Sequence, residues 1–186
     1  SPPEAQASSC EPDPEATAEK DDAKATDGLA EAAERMRSSD ANVKLDACIE
    51  IRRLLSTRKN PPIDEVFATG IVPDVICILD SDAPDPLKFE AAWVITNIAA
   101  GTSEHCDKLV KLGTLPTMSR LLTSSDCGLQ GQAVWCFGNF AGDTSELRDM
   151  ARAAALPHLV GVLRDDKLVT LPTWPTHTDH VPLPLC

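Results

Sequence analysis

Apolar residues fall into helical register from Gly28 onward. Leu29, Ala32, Ala33 and Met36 recur at intervals of three and four, the spacing that lines one face of an α-helix. Residues 1–27 are built from Ala, Glu, Asp, Pro and Ser with almost no large apolar side chain. Such a stretch cannot offset its own ordering entropy and is expected to be a disordered acidic tail. A second helix carries Val43, Ala47, Ile51, Leu54 and Leu55, with Asp40 or Asn42 as its cap. Pro61 and Pro62 end it and open the next element, because proline fits a first turn but not a helix interior.

Three segments then share one layout: Gly70-Ile-Val-Pro73, Gly113-Thr-Leu-Pro116 and Ala154-Ala-Leu-Pro157. Each precedes an apolar run, at Val75 to Leu79, Met118 to Leu122 and Leu159 to Leu163, and the prolines are 43 and 41 residues apart. Polar breaks at Asp80 to Pro86 and Thr123 to Gly128 lead into long helices containing Trp93 and Trp135. The predicted order is short helix, Gly/Pro turn, second helix, break and long third helix, repeated.

The long helices carry a common phrase. Glu90-Ala-Ala-Trp93-Val-Ile-Thr-Asn97-Ile-Ala and Gln132-Ala-Val-Trp135-Cys-Phe-Gly-Asn139-Phe-Ala are 42 residues apart. A period of about 40–47 residues marks an α-solenoid, and three helices per unit select the armadillo over the HEAT form. The fold class is therefore an all-α, right-handed armadillo solenoid. Its repeats are expected at 28–57, 58–101 and 102–142, with a partial one at 143–165. The first long helix aligns Lys44 to Ile49 on Lys88 to Trp93, so Ile49 stands at the Trp position and Arg53 at the Asn position.

Composition narrows the function. The chain has 186 residues, 42% hydrophobic and 4% aromatic with no Tyr, which favours helices packed through small aliphatic residues. A net charge of −12 argues against nucleic acid, whose phosphates need clustered Lys and Arg. It fits a basic peptide partner and is equally ordinary for a soluble cytosolic protein. Seven cysteines form no C-x-x-C pair and read as reduced, mostly buried thiols of an intracellular protein. No apolar run is long enough for a membrane helix. His177, His180 and Cys186 fit no zinc spacing, and no metal or cofactor is expected. Glu104, Asp107, Asp143 and Glu146 supply acids without a paired nucleophile and base, so no enzyme is expected.

A Trp inside a helix ordinarily packs a core, but two in identical frames suggest a repeated surface function. Trp and Asn at i and i+4 lie on one helix face. An Asn amide offers both a donor and an acceptor to a peptide bond, and neighbouring indoles make slots for Lys or Arg stems.

These residues resemble a known family. Phe89 to Glu104 is similar to the second armadillo repeat of importin α, and Gln132 to Asp143 with Arg148-Asp149 to its third. Asn60-Pro-Pro-Ile-Asp64 matches the link between its first and second repeats. The resemblance covers about residues 28–164. It implies a receptor of cytoplasm and nucleus that binds cargo through Lys/Arg-rich nuclear localisation signals. Carried over by position, Trp93, Asn97, Gln132, Trp135 and Asn139 line the larger binding site. Gly101, through a helix-end carbonyl, and Asp143, through its carboxylate, resemble the pocket for the signal's key lysine. Cys106 stands where the family has Thr.

The chain departs from the family elsewhere. Importin β is the expected partner of the full-length family, yet the basic segment that binds it has no counterpart, residues 1–27 being acidic. The sequence opens with Ser and resembles a fragment of the first three to four repeats. The last repeat lacks its third helix, which is expected to leave apolar faces open, and 166–186 form an irregular Pro-rich end. The alternative function is an armadillo scaffold of cell adhesion or cytoskeletal assembly, whose grooves are typically basic.

Overall fold

The computed structural model describes residues 28–56 and 60–164. The acidic segment 1–27 and the end 166–186, with His177, His180 and Cys186, lie outside the described residues. Every regular element among the described residues is a helix. A helix through residues 28–35 (α1) leads into α2 (Ala41–Leu55). Two three-helix units follow: α3 (Ile63–Ala68), α4 (Val72–Asp80) and α5 (Asp85–Ala99), then α6 (Ser103–Lys111), α7 (Thr114–Leu121) and α8 (Cys127–Gly142). A ninth helix, α9, spans Ser145–Arg164.

Local chemistry sets these boundaries. The cap of α2 is Asp40, whose carboxylate accepts the Asn42 N–H at 2.8 Å. Asp126 does the same for α8 through the Leu129 N–H. Short and second helices are separated by glycines in the left-handed region, Gly70 at φ 72° and Gly113 at φ 82°. L-residues with a Cβ enter that region only at a cost of roughly 1–2 kcal/mol.

The third such site overturns an expectation. Ala154 occupies the glycine position, and instead of a turn before Pro157 the chain runs through as one 20-residue helix with Pro157 inside it. An alanine here disfavours the left-handed turn, and the helix continues through Pro157 despite the lost donor and the clash of its ring with the preceding turn. The Ala154 carbonyl accepts the Ser119 hydroxyl of α7 at 3.1 Å, tying the fused helix to the preceding unit.

The units stack like upon like. The long helices α2, α5 and α8 lie side by side, and α4 packs on α7. Helix α5 is buried nearly all round, through Leu87, Ala91, Ala92, Val94, Ile95, Thr96, Ile98 and Ala99, because it is flanked by a long helix on each side. Burying each large aliphatic side chain contributes about 1.5–3 kcal/mol. Polar ties cross the same junctions. Arg52 pairs with Glu90 at 2.5 Å, Asp64 with Lys108 at 3.2 Å, and Asp80 accepts the Thr117 hydroxyl at 2.9 Å while pairing with Arg120.

No Cβ contact within 4 Å would hinder alanine at Gly113. Gly113→Ala should therefore cost about 1–2 kcal/mol through backbone strain alone, read as a lower urea midpoint with unchanged helical circular dichroism.

Burial pushes the Cys48 thiol up to about 12, with the Glu90 charge adding to it. Burial does the same to Cys106, to about 12, reinforced by Asp143. Cys136 is also raised by burial. Cys77 and Cys127 are exposed. Native-state alkylation at pH 8 with peptide mapping should label Cys77 and Cys127 and spare Cys48, Cys106 and Cys136 until urea is added. The raised folded values also fix a sign. The thiols favour the fold fully below the ordinary value of 9.0, and this is lost progressively as pH rises towards 12.

Candidate peptide-binding surface

Trp93 and Asn97 sit one turn apart on α5, both half-buried, and Trp135 and Asn139 stand equivalently on α8. The long helices bring the two pairs onto adjacent rows. Each asparagine reaches back to the helix before it. Asn97 Nδ2 lies 3.5 Å from the Arg52 carbonyl and donates to Ser56 Oγ at 3.1 Å. Asn139 Nδ2 donates to the Thr96 carbonyl at 3.0 Å. Arg52 and Thr96 occupy matching positions, each one residue before the Asn row, so the two bonds share one register. An amide oxygen and a second N–H on each asparagine remain in the side chain's repertoire.

Trp93 is held on two sides. The Phe89 ring meets it edge-on at 5.7 Å between centroids, and the Arg52 guanidinium lies 4.5 Å over its face. Behind the row, the Thr96 hydroxyl lies 2.9 Å from the Ala92 carbonyl and 3.3 Å from the Gln132 carbonyl.

Asp143 is the exposed residue that closes α8, and its Oδ1 accepts the Ser103 hydroxyl at 2.5 Å. Ser103 opens α6, where the positive end of the helix dipole favours a carboxylate. Gly101 lies between α5 and α6, exposed. Its hydrogen is required there: a Cβ would come within 2.5 Å of His105 Nδ1 and 2.7 Å of Ile63 Cδ1.

Two residues expected to line the surface are turned inward. Gln132 is 4% exposed, because its position on α8 faces the α5 junction. Cys106 is 1% exposed, its thiol donating to the Ala99 carbonyl at 3.3 Å with Asp143 nearby. Both therefore lie behind the half-buried Trp/Asn row. Sequence reasoning missed Arg52, Ser56, Glu90 and Ser103 as neighbours of these residues. Their partners are 38 to 45 residues away, and only the repeat alignment that set Arg53 at the Asn position pointed to this part of α2.

The turn after Gly101 is held by a capping box. Thr102 Oγ1 accepts the His105 N–H, and His105 Nδ1 accepts the Thr102 N–H at 3.1 Å. With Nδ1 an acceptor, Nε2 carries the proton and donates to Asp64 Oδ1 at 3.1 Å. Lys108 and His105 together hold the Asp64 carboxyl below its ordinary value, Lys108 contributing most. Among the described residues no group of three His, Cys, Asp or Glu could hold a metal ion, and no helix is long and apolar enough to cross a membrane. His105→Ala leaves the Thr102 cap but removes the reciprocal half of the box, and should cost about 1 kcal/mol, the usual net worth of a hydrogen bond. His105→Gln keeps an acceptor for the Thr102 N–H and should recover most of it in the same urea titration.

Comparisons with known proteins place the fold among armadillo repeats. The Armadillo/beta-catenin-like repeat model matches residues 102–142. Importin subunit alpha-1b of Oryza sativa subsp. japonica is 41% identical over 128 residues, covering 69% of this chain and 24% of that protein. Importin subunit alpha-6 of Arabidopsis thaliana is 45% identical over 112 residues, covering 60% and 21%. A designed armadillo repeat protein in complex with the peptide (KR)4 superposes with a TM-score of 0.69 at 26% identity, covering 77% of this chain and 58% of that one. The chain spans about a quarter of the length of the curated relatives it matches. With its solenoid fold, its 42-residue period and these relatives, the chain is an armadillo-repeat solenoid similar to importin α subunits over its repeats.

Proposed function

We propose that this chain is a nuclear import adaptor segment that binds Lys/Arg-rich nuclear localisation signals along the Trp/Asn rows of α5 and α8, acting between cytoplasm and nucleus. The chain is a peptide-binding scaffold and not an enzyme. The observation that carries the reading is the pairing of half-buried Trp93 and Trp135, each one turn from an asparagine, with the exposed carboxylate of Asp143. The designed armadillo protein solved with (KR)4 supports it, as a basic peptide bound by the same fold.

The chemistry follows from the side chains. Indole faces attract the cations and stems of Lys and Arg, by about 0.5–2 kcal/mol each. The asparagines, with one N–H directed to the neighbouring helix, present an amide oxygen to the N–H groups of an extended peptide. Asp143, held by Ser103, supplies the charge for the key lysine. Gly101 offers its helix-end carbonyl, and Cys106 and Gln132 support the row from within. In this reading the chain's partners are cargo proteins, and importin β belongs with the full-length family rather than with the acidic segment 1–27.

Asp143→Lys removes a charge-assisted hydrogen bond worth roughly 1.5–3 kcal/mol and adds repulsion. Calorimetric titration with a Lys-Lys-Lys-Arg-Lys-type peptide should show at least about a tenfold weaker Kd. Asp82→Lys, at an exposed turn outside the rows, makes the same change in net charge and should have little effect. Equal, small losses for the two variants would reject Asp143 as the lysine's partner. Binding of an acidic control peptide alone would favour an adhesion-type scaffold.

A further inference from the structure

We propose that Arg52 is a built-in occupant of the slot on the α2 side of Trp93, and that it sets where the cation-reading part of the groove begins. The inference rests on the reading of this surface as a receptor for basic peptides, and it assigns to Arg52 the role of a specificity-determining residue.

The geometry is that of a bound ligand supplied by the protein itself. The guanidinium lies 4.5 Å over the Trp93 ring. Its Nε pairs with Glu90 Oε2 at 2.5 Å, and the two side chains are only 17% and 15% exposed. A cation over an indole beside a carboxylate is the arrangement an incoming lysine or arginine would require. Arg52 thus satisfies both the Trp93 face and the Glu90 charge before any ligand arrives.

The identity of the residue matters. Arginine stacks its planar group while donating from Nε, which an ammonium cannot reproduce. The preceding helix has no indole at the matching position, where Ile49 stands. Without Arg52 this slot would have one aromatic wall, an aliphatic neighbour and an unneutralised carboxylate. It would then draw in a further basic residue of the peptide. Asn97 strengthens the arrangement from the backbone side, since its amide approaches the Arg52 carbonyl at 3.5 Å and holds Ser56 at 3.1 Å. The outcome is a groove whose cation slots run from Trp93 towards Trp135 and stop at α2.

The test compares the full chain with Arg52→Met, which keeps an aliphatic stem without the charge. The probes are a core Lys/Arg peptide flanked by alanines and two versions bearing one extra lysine, at either end. The native chain should bind all three within about twofold. Arg52→Met should bind one extended peptide about five- to tenfold more tightly than the core, and adding Glu90→Gln should abolish that preference. Circular dichroism accompanies each variant. If Arg52→Met is not helical, Arg52→Gln, which keeps a donor for Glu90, carries the same comparison. An Arg52 variant that binds the core peptide yet prefers neither extension would overturn the inference while leaving the peptide-receptor reading intact. A native chain that binds no basic peptide would overturn both.

Discussion

Each long helix is tied to its predecessor by an asparagine amide that reaches a main-chain carbonyl, Asn139 to Thr96 and Asn97 towards Arg52. A helix normally offers its neighbours only side chains, because its carbonyls are bonded along its own axis. Here a second donor reaches such a carbonyl, which fixes how far one repeat slides against the next. The register of the Trp rows, the place of Asp143 beside Ser103, and the contact of Arg52 with Trp93 all follow from that alignment. Apolar burial drives the stacking but is tolerant of small slips. The amide bonds are directional, and they select one register from those that burial alone would accept.

Much of the fold is legible in the sequence, for physical reasons. Helical periodicity locates α1 and α2, and the paired Gly and Pro signals at Gly70 and Gly113 mark real left-handed turns. The same template fails at Ala154, where the proline stands without the glycine that makes the turn. A proline inside a helix and a left-handed turn without glycine both cost free energy, and the chain keeps the helix, whose Ala154 carbonyl accepts the Ser119 hydroxyl. Asp40 rather than Asn42 caps α2 because its carboxylate can accept the N–H two residues on.

The surface is less legible than the helices. The i, i+4 spacing puts Trp and Asn on one face, and that is a property of a single helix. Whether Gln132 looks outward or into the α5 junction depends on the neighbouring repeat, and there it is buried. Ser103, Ser56 and Arg52 are ordinary polar residues in the sequence. They gain roles only when residues about 40 positions away come alongside. A repeat alignment carries part of this information, since it states which residues become neighbours.

On the proposed reading the asparagines are doubly employed, which has a consequence for how such a surface diversifies. A residue that both aligns the repeats and faces a ligand is under two demands, and a change made for one is felt by the other. The side chains between the rungs make no such amide bond to a neighbouring main chain. Arg52, at a junction where an indole is absent, illustrates the freedom available there. On that reading the rungs act as a fixed ruler and the intervening bays as its adjustable markings, so that specificity would change by refilling bays while the ruler stays as it is.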